Sequence, residues 1–351
     1  MSRLTLNKGE WSEAYCIFAI IGNSCIKTCD DLLTEQSLIL KIVGGQFSVN
    51  CIYKIRKNEI SFEVKEQDIK YHSQFFLDIS KDVLRNINSN KKTFSIQSVD
   101  KLITDLEINN LKSCSRTKED TRFEIEDNLT NKIENLGFSI KSFLGSSPTL
   151  LNSSGATKFR YHLSQCDIPK ELEKLRGKTL VCALISNKIF LDYVGMKNQV
   201  YKDNLQKIDL RMPEIIAESL KVYFSSKKKK VSEIAGILQS ENPLRLDNPN
   251  LYSFKLSELL FHTALGLFPN KIWNGTQDVN GGCIIVKKDG TIMCFYTFRK
   301  EFIEFYKKYL FDNCYFDTPS LSRHGCGILK QDSKNYFIEL PLQIRIVAPI
   351  S

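Results

Sequence analysis

The sequence predicts a mixed α/β (α+β) fold, in which a central β-sheet is flanked by helices and a helical insertion interrupts the chain. Short runs rich in β-branched and aromatic residues, such as "SLILKIVGG" and "FSVNCIYKI", alternate with longer helical patterns such as "HSQFFLDISKDVLRNI". With 351 residues, of which 42% are hydrophobic and 25% charged, the chain is large enough to bury a sizeable core.

The first element is a predicted amphipathic helix over "NKGEWSEAYCIFAIIG". Asn7 is the expected N-cap and Gly22 the expected end, because these residue types favour those positions. Glu10 and Glu13 are three residues apart, so they share one face of the helix.

The remaining elements suggest three consecutive parts. Alternating strands "DTRFEIED", "LGFSIKSF" and "ATKFRYHL" complete an N-terminal part, residues 1–164, that holds the main sheet. Residues 165–270 form a helical elaboration, with "PEIIAESLKVYF" as one of its clearest helices. The pattern returns to mixed strands and helices in a C-terminal part, residues 271–351.

Composition narrows the class of protein. Lysine and arginine total 49 against 40 acidic residues, and this net charge of +9 is a weak indication of a polyanionic partner. There is no run of eighteen apolar residues and no apolar signal segment at the start. We therefore expect a cytoplasmic protein with no membrane partner.

The cysteines predict neither a zinc site nor a disulfide scaffold. The eleven cysteines form no Cys-x-x-Cys pair, and the four histidines lie far from one another in the sequence. We expect reduced and mostly buried thiols.

One pair of predicted strands carries polar residues that could act together. Alternation places Asp120 on the polar face of "DTRFEIED", and it places Ser139 and Lys141 together on "GFSIKS". If the strands form a hairpin, Asp120 and Lys141 lie near each other at one end of the sheet. The pattern alone fits a simple salt bridge, but it also fits phosphodiester hydrolysis, in which a carboxylate holds Mg²⁺ and a lysine stabilises the attacking water.

Four segments then give a resemblance. "NKGEWSE", "KEDTRFEIED", "GFSIKSFLGSSPTLLNSSGATKF" and "FDTPSLSRHGCGILKQDSKNYFIELPLQIRI" are similar, in this order and across almost the whole chain, to the HpaII-like family of type II restriction endonucleases. The resemblance implies a Mg²⁺-dependent enzyme with a PD-(D/E)XK nuclease-like core that cuts double-stranded DNA within a short palindrome. For the family's namesake that palindrome is 5′-CCGG.

The resemblance also implies roles for single residues. Asp120 matches the first acid of the PD-(D/E)XK pattern and Lys141 matches its lysine, whereas Ser139 occupies the place of the second acid. A serine is a poor metal ligand beside a carboxylate, so another acid must replace it. Glu13 is preferred over Glu10 as this metal ligand, although both acids equally suit a solvated helix start, and Glu124 is a third candidate.

Base reading is expected from the C-terminal part. The polar segment "TPSLSRHGCG" carries Arg323 and His324, and arginine is the usual reader of guanine in the major groove. In "LQIRI" the alternation gives one polar face, on which Arg345 is either a reader or an ion-pair partner. The remaining predicted DNA contacts are Gln343 on the same polar face and, for the backbone near the cut, Asn152 and Lys158.

A palindromic substrate predicts further partners. Two-fold symmetry of the site suggests a homodimer on DNA, and a cognate DNA methyltransferase would protect the host. The alternative is a sequence-specific DNA-binding protein that does not cleave, on a nuclease fold that Ser139 has made inactive. A methyltransferase is disfavoured because the sequence has no glycine-rich cofactor loop.

Overall fold

The computed structural model describes residues 4–29, 38–48, 51–64, 67–90, 92–108, 111, 118–127, 131–165, 168–318, 327–332 and 335–347. The α-helices in these ranges are α1 (Lys8–Asn23), α2 (Ser73–Ser89), α3 (Gln97–Asp105), α4 (Gly177–Ser186), α5 (Gln199–Ile208), α6 (Met212–Ser225), α7 (Val231–Glu241), α8 (Leu251–Leu265) and α9 (Glu301–Asn313). The strands are β1 (Cys25–Lys27), β2 (Ile39–Ser48), β3 (Cys51–Arg56), β4 (Glu59–Val64), β5 (Gln67–His72), β6 (Thr121–Glu126), β7 (Ile133–Ser142), β8 (Thr149–Leu151), β9 (Lys158–Leu163), β10 (Leu191–Met196), β11 (Gly282–Val286), β12 (Ile292–Tyr296), β13 (Cys314–Phe316), β14 (Lys330–Gln331), β15 (Tyr336–Pro341) and β16 (Ile344–Ile346). The predicted mixed α/β class, with a large mixed sheet and flanking helices, is confirmed.

The chain divides into two compact units. The first unit comprises Met1–Pro148, Gln277–Tyr306 and Ala348–Ser351, and the second comprises Thr149–Thr276 and Lys307–Val347. The boundaries predicted at 164 and 270 do not coincide with this division. The reason is strand pairing over long sequence distances, which a left-to-right division of the sequence does not detect.

The first unit is built on one large sheet. Its strands run in the order β12, β11, β7, β6, β2, β3, β4, β5, and β1 pairs with β2 beside them. The pair β11–β7 is parallel, whereas the other neighbours are antiparallel. All five residues of β11 are buried, and a place inside the sheet next to β7 provides this burial although the two strands are far apart in the sequence.

The predicted hairpin between β6 and β7 is confirmed. Thr121 lies opposite Phe138, and the register continues to Glu126 opposite Ile133. Phe123 is buried, whereas Glu124 beside it is half-buried, as the alternation predicts. The hairpin therefore fixes which polar side chains of the two strands can meet.

Helix α1 begins as predicted but is buried differently. Asn7 is the N-cap, and its side chain accepts hydrogen bonds from the backbone of Gly9 and Glu10. The helix continues one residue past Gly22, to Asn23. It is not amphipathic, because it packs against α2 as well as the sheet, and from residue 11 to 22 every position except Glu13 is buried.

The second unit contains two smaller sheets. One has the order β10, β9, β15, β14, and the other has the order β13, β16, β8. The face of the four-stranded sheet that carries Phe159 and Tyr161 is buried, and the Tyr161 hydroxyl donates to the carbonyl of Ala217 on α6. The region predicted as a helical elaboration contains α4 to α8, with β10 among them.

Two further features concern the cysteine thiols and the apolar character of the helices. The cysteines in the described ranges are free, and most are buried. No helix within the described ranges has the length and apolar character needed to cross a lipid bilayer.

Candidate active site

Asp120 lies at the start of the β6–β7 hairpin. Its backbone N–H donates to the carbonyl of Phe138 at 2.8 Å, which extends the ladder by one residue. Its carboxylate Oδ2 accepts hydrogen bonds from the backbone N–H of Ile140 at 2.6 Å and from the Ser139 hydroxyl at 3.2 Å. The carboxylate is therefore held by the neighbouring strand in a defined position.

Lys141 lies beside this carboxylate. Its Nζ donates to Ser139 Oγ at 2.8 Å and to the carbonyl of Ile140 at 3.3 Å, and it is 4.0 Å from Asp120 Oδ2. The side chains of Lys141 and Asp120 are 17% and 20% exposed, so both are accessible from one side. The structure thus brings Asp120, Ser139 and Lys141 together on one face of the sheet.

Ser139 is the link between the two charged groups. Its hydroxyl donates to Asp120 and accepts from Lys141, and its side chain is fully buried. A carboxylate at this position would lie within hydrogen-bonding reach of Asp120, and two like charges there would destabilise each other. A neutral hydroxyl avoids that repulsion and satisfies both neighbours.

Two buried thiols adjoin this cluster. Cys283 on β11 is in register with Ser139, and Cys16 is one turn after Glu13 on α1. Burial raises the pKa of both thiols. The pKa of Cys16 is raised further by the negative charges of Glu13 and Asp120.

The other two candidate acids have structural contacts. Glu10 completes the helix cap, since its carboxylate accepts the backbone N–H of Asn7 at 2.9 Å. Glu124 pairs with Lys54 at 2.5 Å. Because Glu124 is four residues along the strand from Asp120, about 13 Å separates their backbones. Glu13 stays the predicted second metal ligand.

Two polar residues near the cluster were missed by the sequence prediction. Glu119 lies directly over Gly137, where any larger side chain would collide with its carboxylate, and it pairs with Arg122 at 2.7 Å. Burial raises the pKa of Glu119, and Asp120 adds to this, against the opposing charge of Arg122. Asn280 accepts the backbone N–H of Gly137 at 2.8 Å. Glu119 precedes the strand, so alternation gave no face for it, and Asn280 is 143 residues from its partner.

A cleft in the first unit opens between the start of α1 and the end of β7. It has a volume of about 530 Å³, and Lys8, Ser12, Ser142, Gly145 and Ser146 are among its lining residues. Ser12 precedes Glu13, and Ser142 follows Lys141. Because side chains alternate along β7, Ser142 and Lys141 lie on opposite faces, and Asp120, Ser139 and Lys141 are not among the residues that line this cleft.

A metal ion at Asp120 would need further ligands from its substrate and from water. In the described part of the chain, no three Asp, Glu, His or Cys side chains are grouped so as to hold a metal ion. Mg²⁺ usually takes only one or two carboxylates and fills its shell with phosphate oxygens and water. Asp120 supplies one such carboxylate, and Glu13 is the predicted second.

The predicted DNA contacts of the C-terminal part lie in the second unit. Arg345 Nε donates to Asp317 Oδ2 at 2.7 Å, so the ion-pair alternative for this arginine is the arrangement observed. Gln343 is 7% exposed, and its backbone carbonyl accepts the N–H of Asp317. A side chain this buried does not form part of an open reading face. Arg323 and His324 lie outside the described residues.

The two predicted backbone contacts differ in environment. Asn152 follows β8 and is exposed. Lys158 begins β9, and its Nζ is 3.9 Å from the carboxylate of Glu339. Lys158 thus belongs to a charged group of the four-stranded sheet that the sequence did not reveal.

Comparisons with known proteins show the family of this chain. The family model described as HpaII restriction endonuclease matches residues 7–346. The type II restriction enzyme HpaII of Haemophilus parainfluenzae is 32% identical over 356 aligned residues, covering 97% of this chain and 98% of that enzyme. No solved structure matches significantly. On this coverage and identity, the chain belongs to the HpaII restriction endonuclease family.

Proposed function

We propose that this protein hydrolyses double-stranded DNA at a short palindrome, 5′-CCGG, in a reaction that requires Mg²⁺. The observation that carries the proposal is the hydrogen-bonded series Asp120, Ser139 and Lys141 on one hairpin. The similarity to the restriction enzyme of Haemophilus parainfluenzae supports the choice of substrate.

The roles of the residues follow from their contacts. When bound, Mg²⁺ would supply positive charge against the attacked phosphate, held by Asp120 and Glu13. Lys141 orients the attacking water and stabilises its loss of a proton, because its ammonium group is fixed beside the carboxylate. Ser139 positions Lys141 and keeps the Asp120 carboxylate turned toward it.

Base recognition is proposed for the segment between Thr318 and Gly327. Its sequence carries Arg323 and His324, and a bidentate arginine contact to guanine discriminates by about 1–3 kcal/mol. Changing Arg323 to Ala should broaden the set of cleaved sequences while non-specific binding is retained. Unchanged discrimination among sites would remove this segment from recognition.

The test of the reaction uses plasmid DNA. The protein is incubated with plasmid with and without Mg²⁺, and fragment ends are mapped. We expect metal-dependent fragments whose ends all fall at 5′-CCGG. Asp120→Asn should abolish these fragments and leave duplex binding in place, because an amide replaces a charged metal ligand by a neutral one.

A second candidate function follows from Ser139. A serine stands where an acid is usual, which suggests a nuclease fold that binds DNA without cleaving it. Wild-type protein that bound 5′-CCGG duplexes tightly but gave no fragments with Mg²⁺ or Mn²⁺ would support this alternative. That result would contradict the endonuclease proposal and retain the DNA partner.

The assembly is proposed to be a homodimer on the palindrome, paired in the cell with a cognate methyltransferase. Two-fold symmetric sites favour two symmetric active sites, one for each strand. Sedimentation on a duplex with one 5′-CCGG should give two protein chains per duplex. A single bound chain that nicks one strand at a time would contradict the dimer.

A further inference from the structure

One face of the four-stranded sheet gathers three cations around a single carboxylate. Glu339 on β15 is 5% exposed and lies directly opposite Arg160 on β9. Its carboxylate is 2.6 Å from Lys330 Nζ, 3.3 Å from Arg160 Nη2 and 3.9 Å from Lys158 Nζ. We call these four residues the Glu339 cluster.

The charges of the Glu339 cluster do not balance. A buried carboxylate needs one good partner to offset its desolvation, and a second and third cation repel the first. With three cations and one acid, the cluster has a net charge of +2. All three cations stabilise the buried carboxylate, and the four side chains together still carry a net positive charge toward solvent.

The cations are held in fixed positions. The Arg160 guanidinium carbon lies 4.2 Å from the centre of the Phe337 ring, and Lys330 Nζ lies 5.8 Å from it. Phe337 is 8% exposed although it is on the same face as Glu339, because these side chains cover it. Stacking on a ring and pairing with a carboxylate reduce the entropy that each cation would lose on binding a ligand.

The cluster is nevertheless open to solvent. The side chains of Arg160 and Lys330 are 38% and 36% exposed, whereas Glu339 beneath them is buried. The opposite face of the same strands is buried against α6 by residues such as Tyr161. A ligand would therefore meet the cations and not the carboxylate, which favours an anion.

The cluster is also linked to Gly327, the residue that follows the proposed recognition segment in the sequence. The N–H of Gly327, at which the described chain resumes after residue 318, donates to the backbone carbonyl of Glu339 at 3.0 Å. Lys330 follows three residues later. A phosphate contact here would lie a few residues along the chain from that segment, and backbone contacts of this kind set the register for base reading.

We propose that Arg160 and Lys330, positioned by Glu339 and Phe337, bind the phosphodiester backbone of duplex DNA. This inference rests on the proposed function, since it names a backbone contact for that substrate. Lys158 contributes charge from its less exposed position. Because phosphates are the same in every sequence, the contact adds affinity without discrimination.

The test is salt-dependent binding of the full-length protein in EDTA, measured by fluorescence anisotropy on duplexes with and without 5′-CCGG. Arg160→Gln and Lys330→Gln should each reduce the slope of log affinity against log salt by about one, and the double variant by about two. Affinity should fall about equally for both duplexes. Lys174→Gln, which removes an exposed lysine of the same unit, should leave the slope unchanged.

Two measurements distinguish the loss of a phosphate contact from a folding defect. Circular dichroism compares each variant with wild type, and Arg160→Lys keeps the charge, so its salt slope should match wild type. Wild-type slopes in the Gln variants, or a loss confined to the 5′-CCGG duplex, would overturn the phosphate assignment even if plasmid cleavage by wild type is normal. Failure of the wild type to bind or cut any duplex would overturn the proposed function as well.

Discussion

Each unit contains a group of charged side chains in which cations lie beside one carboxylate, and the two groups differ in charge balance. In the large sheet, Asp120 faces one lysine across the bridging hydroxyl of Ser139. In the four-stranded sheet, Glu339 faces three cations. The balanced group holds a carboxylate and an ammonium at a fixed spacing, which suits chemistry at one phosphate. The unbalanced group presents surplus charge, which suits attraction of a polyanion.

Among the substitutions that test this comparison, removal of Lys141 should have the largest effect on cleavage. In Lys141→Ala, we expect single-turnover cleavage to fall by about 10²–10⁴-fold, because the group that stabilises the attacking water is lost. Duplex affinity should change by less than about threefold, since the surplus charge of the Glu339 cluster is intact. Lys54→Ala, which removes a lysine paired elsewhere in the same sheet, is the control. A wild-type cleavage rate in Lys141→Ala would exclude this lysine from the mechanism.

Changing Ser139 to Ala tests whether its hydroxyl positions Asp120 and Lys141. Losing one hydrogen bond to each charged neighbour costs about 1–3 kcal/mol in the buried site, so cleavage should slow about 10- to 100-fold. A structural role alone would lower the thermal midpoint without changing how rate depends on Mg²⁺. We expect the Mg²⁺ concentration for half-maximal cleavage to rise, because Asp120 loses its restraint. An unchanged Mg²⁺ dependence would contradict the positioning role.

The carboxylate of Glu339 should stabilise the folded protein, and the size of this stabilisation should depend on pH. Burial alone would raise the pKa of Glu339, but Lys330, Arg160 and Lys158 outweigh this and hold the pKa below its ordinary value of 4.5. A group whose pKa is lowered by folding stabilises the folded state above the ordinary pKa, and this contribution is lost as the pH falls through the lowered pKa.

Glu339→Gln should therefore destabilise the protein by about 1–3 kcal/mol at pH 7 and by progressively less below pH 4.5. Thermal midpoints of wild type and variant across this pH range measure the difference. A pH-independent difference would indicate lost packing rather than lost charge.

The smallest effect is expected at Glu124, which lies on the same hairpin as Asp120 and Lys141 and pairs with a lysine on β3. Glu124 pairs with Lys54, whose side chain is 55% exposed. Glu124→Gln should change the free energy of unfolding by less than about 1 kcal/mol and leave cleavage unchanged. A cleavage defect larger than tenfold would restore Glu124 as a candidate metal ligand.

Local patterns in the sequence predicted that Asp120, Ser139 and Lys141 meet. Alternation placed Asp120, Ser139 and Lys141 on one face, and the hairpin that joins them spans only a short stretch of chain. The Asn7 cap was also predictable, since it depends on residues three positions apart. Such features depend on backbone geometry that repeats over a few residues.

Contacts between distant segments were not predictable in this way. Alternation correctly separates the faces of "LQIRI", but it does not say what covers each face, and Gln343 is buried. The helix at the N-terminus was expected to have a solvated side, yet α2 covers it. In both cases burial is decided by the packing of other elements, which hydrophobic periodicity does not identify.

The sequence by itself determined the fold class, the family resemblance and the hairpin that pairs an aspartate with a lysine, because each depends on short-range periodicity or on ordered motifs. Only the tertiary structure decided that Cys283 lies beside Ser139, that the Glu10 carboxylate caps its own helix, and that Glu339 gathers three cations. Those arrangements come from strands and helices that meet over long sequence separations, where side-chain proximity is fixed by the packing of the whole unit.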